Sequence, residues 1–181
     1  GEREDLSDVI YSISPTDTPF LSSAAKTKAT AVLHEWQTDA LASAVTTNAV
    51  IEGDEATLDA ATATVRLSNS SQIMDKTVVI TGTQESVDKA GRASEIAYQI
   101  AKKAKELKRD MEAMLTTNNA EVGGSASTAR EMGSLGAWVI TNDDKASDGT
   151  TGAGIGNTAR TDGTQRAFTE SQLKSVIKSV W

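Results

Sequence analysis

His34 is the only histidine in the chain, and there is no cysteine. A metal site of nitrogen and sulfur ligands, or a thiolate nucleophile, has nothing to draw on beyond that one ring. A Ser-His-Asp arrangement would have to recruit His34, whose neighbours alternate as in a half-buried strand. That setting supports surface or interface hydrogen bonding instead. Gly152, Gly154 and Gly156 in GTTGAGIGN resemble a phosphate-cradling loop. Such a loop needs a strand before it and a helix N-terminus after it. The flanks NDDKASDGT and NTARTDGTQ supply neither, and no Walker-type lysine follows. The acid pairs Asp54/Glu55 and Asp143/Asp144 lack the spacing of a calcium loop and read as solvated turn acids. Asn69-Ser70-Ser71 is a glycosylation sequon by pattern alone, with no secretory signal beside it. No catalytic, cofactor or metal residues are therefore assigned. The densest run of one charge is Lys102, Lys103, Lys105, Lys108 and Arg109, which can face nucleic acid, an acidic protein surface or water.

The elements that position these residues follow from periodicity. Residues 81–117 carry the one long helical pattern. Thr81 and Gln84 are spaced as a capping box. Val87, Ala90, Ser94, Ala97, Ala101 and Ala104 recur at three- and four-residue steps. Glu85/Lys89, Asp88/Arg92, Lys102/Glu106 and Lys108/Glu112 place opposite charges four apart. From Thr83 onward the pattern contains one glycine, Gly91, and no proline, and it predicts an unbroken rod of roughly 55 Å. The small-residue stripe suits close packing on a sheet better than a coiled coil, which wants Leu and Ile.

Residues 1–30 read as an arm, with Leu6, Val9, Ile10 and Ile13 on one short helical face. Ser14-Pro15 and Thr18-Pro19 are helix-start signatures, and Phe20 and Leu21 follow the second. Residues 31–80 change to a period of two. Val32, His34 and Trp36 alternate with Leu33, Glu35 and Gln37, while ATLDAATATVRL and QIMDKTVVI are further β-type runs. With a turn at Gly53-Asp54 they predict a long acidic two-stranded ribbon, marginal in water unless it lies on something. Beyond residue 118, LGAWVIT reads as a short strand and residues 142–165 as a Gly/Thr-rich surface loop or disordered stretch. Thr169 and Gln172 form a capping box for a final amphipathic helix still running at Trp181. An open helix at the last residue reads as an incomplete polypeptide.

Composition agrees with shared burial. Hydrophobic residues make up 38% of the 181 and aromatics only 4%, thin for a free-standing core. The net charge of −7 argues against a general nucleic-acid binder. Charge is also segregated. Ala31 to Asp75 holds seven acids and one base, −6, whereas Lys76 to Arg109 holds eight bases and four acids, +4. Complementary segments of this kind can register partners. No apolar run reaches eighteen residues, so no membrane helix is predicted.

The stretches REDLSDVIYSISPTDTPFLSS, HEWQTDAL, VVITGTQESVDKAGRASEIAYQIAKKAKELKRDMEAML and AFTESQLKSVIKSVW closely resemble major head (capsid) proteins of tailed phages and prophages. The resemblance implies an α+β chain with the Hong Kong 97-type capsid fold. It implies an N-arm over 1–30, an E-loop ribbon over 31–80, a spine helix over 81–117 and further peripheral-domain elements over 118–181. The axial domain has no counterpart in this chain. It further implies subunit-interface roles for Trp36, Asp39, Asp54 and Glu55 in the E-loop and for Leu6, Ile10, Pro15 and Phe20 in the arm. Lys102, Lys103, Lys105 and Arg109 would form the basic face of the spine. The implied function is non-enzymatic: self-assembly through hexamers and pentamers into an icosahedral head around phage DNA, in the bacterial host cytoplasm. The implied partners are other copies of itself, decoration, scaffolding and portal proteins, and non-specifically held DNA, with no membrane. A cargo-enclosing compartment shell, or another phage structural protein of related fold, is the alternative. Some relatives cross-link an E-loop lysine to a neighbour's asparagine. No lysine occurs from Ala29 to Asp75 here, so non-covalent stabilisation is expected.

Overall fold

The computed structural model describes residues 15–88 and 91–180. Leu6 and Ile10, with the helical face expected around them, lie outside the described residues. In order the elements are α1 (Pro19–Ser23), β1 (Leu33–Thr38), β2 (Val65–Ser70), α2 (Gly82–Ser86), α3 (Glu95–Thr116), α4 (Leu135–Trp138) and α5 (Glu170–Val180). Among the described residues this is a mixed α+β chain.

β1 and β2 pair antiparallel, from Leu33 opposite Ser70 to Thr38 opposite Val65. The alternation around His34 and Trp36 thus becomes a real two-stranded ladder, reinforced by an Arg66–Glu35 ion pair across it. Only the end of ATLDAATATVRL joins the ladder, and QIMDKTVVI stays outside any strand. Residues 39–64 form the long connection between the strands. Gly53 takes φ +86° there and the Asp54 amide returns to the Ile51 carbonyl at 3.1 Å, making the expected turn.

The unbroken helix expected over 81–117 is corrected: it is two helices, α2 and α3. Gly91 sits at φ +77°, a left-handed conformation that no helix continues through. Ser94 then caps α3, its Oγ accepting the Ala97 amide at 3.2 Å. The Glu85 carboxylate turns back and accepts from the Ser94 hydroxyl (2.8 Å) and from the Glu95 and Ile96 amides (2.9 and 3.2 Å). A carboxylate on the free amides at a helix N-terminus gains more than one more intrahelical pair would. α3 therefore spans 22 residues, about 33 Å. The expected pairing partners change too. Glu106 joins Lys103 at 2.7 Å, and Glu112 serves the backbone amides of Phe20 and Leu21. Ala97, Ala101 and Ala104, expected as the packing stripe, are exposed.

The strand expected at LGAWVIT is also corrected. Leu135–Trp138 is a single helical turn, because the Gly136 amide is drawn to the Thr117 carbonyl at 3.0 Å at the end of α3. Both capping boxes form in part or whole. Thr81 Oγ1 accepts the Gln84 amide at 3.4 Å. At α5, Thr169 Oγ1 accepts the Gln172 amide at 3.4 Å and Gln172 returns an acceptor to the Thr169 amide at 2.7 Å.

The tightest packing lies where the ribbon foot, the end of α3, α4 and the glycine loop meet. Gly133, Ser134, Ala137 and Gly156 are buried there, together with Ser70. The Ser134 hydroxyl donates to the Thr117 carbonyl (2.7 Å) and accepts the Asn119 amide (2.6 Å). Small residues let backbones approach, and polar side chains finish their hydrogen bonding.

Candidate subunit interface

The glycine loop proves to be a packing device. A Cβ on Gly152 would fall 2.2 Å from the Thr158 carbonyl oxygen, and one on Gly156 2.6 Å from the Trp138 ring. That space is already filled by the chain itself, so no phosphate-sized cradle remains. His34 is exposed and lies 5.8 Å from the Trp36 ring. Asn69 of the sequon is half-buried, and both ends of its side-chain amide are engaged. Nδ2 donates to the Gly133 carbonyl (3.0 Å) and Oδ1 accepts the Gly133 amide (2.8 Å). A hollow of about 340 Å³ beside α5 holds one charged pair, Arg166 and Asp144, which satisfy each other. None of these places converges the groups an active site requires.

What the described residues do present is surface. The connection 39–64 carries Asp39, Glu52, Asp54, Glu55 and Asp59 and no base. Interleaved with them are Leu41 (100% exposed), Val45, Val50, Ile51 (78%) and Leu58 (94%). Apolar side chains exposed beside carboxylates make an amphipathic surface. Asp39 and Asp54 each accept the next residue's amide at 2.9 Å, stiffening their turns while the carboxylates stay in water. Glu55 is exposed beside them.

Trp36 does not share that setting. It stacks on Trp138 at 5.3 Å between ring centroids, within the same chain, and so anchors the ribbon foot. Of the arm residues, Pro15 is exposed and Phe20 lies on α3 of its own chain, its amide held by Glu112 at 2.8 Å. On α3, Lys102, Lys105, Lys108 and Arg109 are exposed and make no ion pair among the described residues. Lys103 is engaged by Glu106. That bond, first among the causes, holds the Glu106 carboxyl below its ordinary value, helped by the charges of Lys103, Lys102 and Lys76.

Two groups of contacts were beyond sequence reasoning. Asn118 clamps the Arg160 backbone as Asn69 clamps Gly133, with bonds of 2.7 and 3.0 Å. Asp148 receives the Thr164 hydroxyl (2.6 Å) and amide (3.0 Å), and these bonds, the hydroxyl's first, hold its carboxyl below the ordinary aspartate value. A depressed carboxyl stabilises the fold above its ordinary pKa and stops doing so as pH falls through the lowered value. Ionised Asp148 is therefore expected to support closure of the 148–164 loop at neutral pH and to lose its bonds as pH falls through the lowered value, while the Thr150–Thr161 backbone pair remains. NMR titration of Asp148 should give a midpoint below that of an unstructured peptide; a midpoint at or above it would contradict the closure.

No described helix is long and apolar enough to cross a membrane. Among known proteins, the family model described as SU10 major capsid protein matches residues 1–181. A protein named major capsid protein, from Escherichia phage Phieco32, is 39% identical over 120 residues. That match covers 66% of this chain and 34% of the relative, so the chain spans about a third of the length of the curated relative it matches.

Proposed function

Because this chain belongs to the SU10 major capsid protein family, we propose that it is the arm-and-ribbon portion of a phage head subunit, structural and not enzymatic. One observation carries the reading. Among the described residues a single hydrophobic residue, Ala137, is buried, while twenty-two large hydrophobic residues are exposed. The accessible surface is 14948 Å², against about 8,400 Å² for a compact monomer of this mass. Such a chain reaches a stable state when its apolar surface is covered by other parts of the shell. Many modest, repeated contacts then close the particle.

In this reading the subunit has the Hong Kong 97-type fold. Residues 39–64 lie on an adjacent copy, in hexamers and pentamers, inside a virion assembled in the bacterial host. Decoration, scaffolding and portal proteins would be its other partners. With Lys76 already committed to Asp110 at 2.6 Å, the ribbon has no free lysine for a covalent cross-link. Electron microscopy of the expressed full-length protein should show regular icosahedral particles that fall to monomers in hot detergent. A protein that stays monomeric at high concentration, with no particles, would refute the proposal.

The exposed cations of α3 support a second contact, with packaged DNA, through charge and without base specificity. Changing Lys102, Lys105 and Arg109 together to glutamine is expected to leave empty shells intact. DNA retained after a salt wash should fall severalfold; equal retention would assign that face to protein.

A further inference from the structure

The first turn of α1 is capped from 92 residues away. Pro19 at the first helical position has no N–H, and Thr18 makes no side-chain cap bond to its own helix. The next two amides, of Phe20 and Leu21, both go to Glu112 of α3, one to each carboxylate oxygen, at 2.8 and 2.7 Å. A helix of five residues does not persist alone in water. Its docking and its folding are therefore coupled, and Glu112 supplies the two polar bonds that join them.

Asp110, two residues earlier, does a parallel job. Its carboxylate takes Lys76 of the ribbon foot at 2.6 Å, a bond that raises the lysine above its ordinary pKa. Residues two apart on a helix point about 200° from each other. Arm and ribbon foot are thus held on opposite flanks of one helical turn, by separate carboxylates.

We infer that Glu112 is a latch that keeps residues 18–23 helical and docked on the subunit's own long helix, and that neutralising or occupying this carboxylate releases the arm as a unit without freeing the ribbon. A subunit so built stores its arm in cis until a competing contact takes it. The inference stands on these contacts and not on the shell reading, so each can fail without the other.

Limited trypsin digestion of the unassembled full-length protein tests it, reading Lys26 and Lys28 after the latch and Lys76 at the ribbon foot. Cleavage after Lys26 and Lys28 should rise about tenfold in Glu112→Ala with Lys76 unchanged, since two charge-assisted bonds are lost. Asp110→Ala should do the reverse, and Glu112→Gln, which keeps one acceptor oxygen, should fall between wild type and alanine. Should Glu112→Ala fold poorly, amide exchange in Glu112→Gln decides. Phe20 and Leu21 should lose protection while the amides of α3 keep theirs. Unchanged cleavage in Glu112→Ala, or both sites opening together in either variant, would overturn the latch.

Discussion

Replacing Gly156 with valine is expected to unseat the ribbon foot. Gly156 is buried at φ +75°, where a β-branched residue is strained. Its new Cβ would enter the Trp138 ring, 2.6 Å from the nearest ring atoms, on a side chain too rigid to yield locally. Left-handed strain costs about 1–3 kcal/mol and overpacking costs a similar amount again, so a loss of about 3 kcal/mol or more is expected. The damage should spread along named contacts. Trp138 stacks on Trp36 and donates its Nε1–H to the Gly133 carbonyl at 3.2 Å. Asn69 uses that same carbonyl to fix the end of β2. The measurable signs are a lowered melting temperature and loss of the near-ultraviolet tryptophan signal. Gly123→Ala is the control, because a Cβ there meets nothing within 4 Å and the backbone is not left-handed. A Gly156→Val protein with both signals intact would remove the glycine loop from the ribbon's support.

The same junction shows why some features were legible in the sequence and others were not. Local signals carried through. The His34/Trp36 alternation became β1, and Thr18-Pro19, Thr81/Gln84 and Thr169/Gln172 mark real helix starts. Each depends on residues one to three positions apart, the range over which backbone geometry dictates who meets whom. The break in the expected rod was hidden because the three- and four-residue apolar steps and the opposite charges four apart run on across it. The first helix ends at Val87, which is extended (ψ 151°); Gly91 then turns the chain at φ +77°, and Glu85 finds the amides of the next helix. At LGAWVIT, a short apolar run gives no period to separate strand from helix, and the Thr117 carbonyl chose. The glycine triad mimicked a phosphate loop because both need glycine for close approach. Here the approaching group is Trp138. Glu112, Asp110, Asn69 and Asn118 act over tens of residues in sequence and leave no local trace. Of the expected interface residues, Asp39, Asp54 and Glu55 are exposed, while Trp36 packs on Trp138 of its own chain.

That difference separates assembly from folding, and the triple change Leu41→Ser, Ile51→Ser, Leu58→Ser exploits it. These side chains are 100%, 78% and 94% exposed, so their loss should leave the unassembled protein's circular dichroism and melting temperature almost unchanged. If they are the buried anchors of residues 39–64 on an adjacent copy, each contributes about 1.5–3 kcal/mol there, and the triple variant loses roughly 5–8 kcal/mol per subunit. The loss recurs at every equivalent contact in a closed shell, so particles should disappear from sedimentation profiles and micrographs, not merely loosen. Charge changes at Asp54 and Glu55 should behave differently. They alter how contact rates depend on salt more than the final area buried. Asp54→Lys with Glu55→Lys is therefore expected to slow assembly most at low ionic strength, whereas the apolar triple blocks it at any salt. Particles forming in normal yield from the triple variant would show that the ribbon's apolar residues face solvent in the shell as well. The cohesion of the particle would then have to come from the exposed faces of α3 and α5.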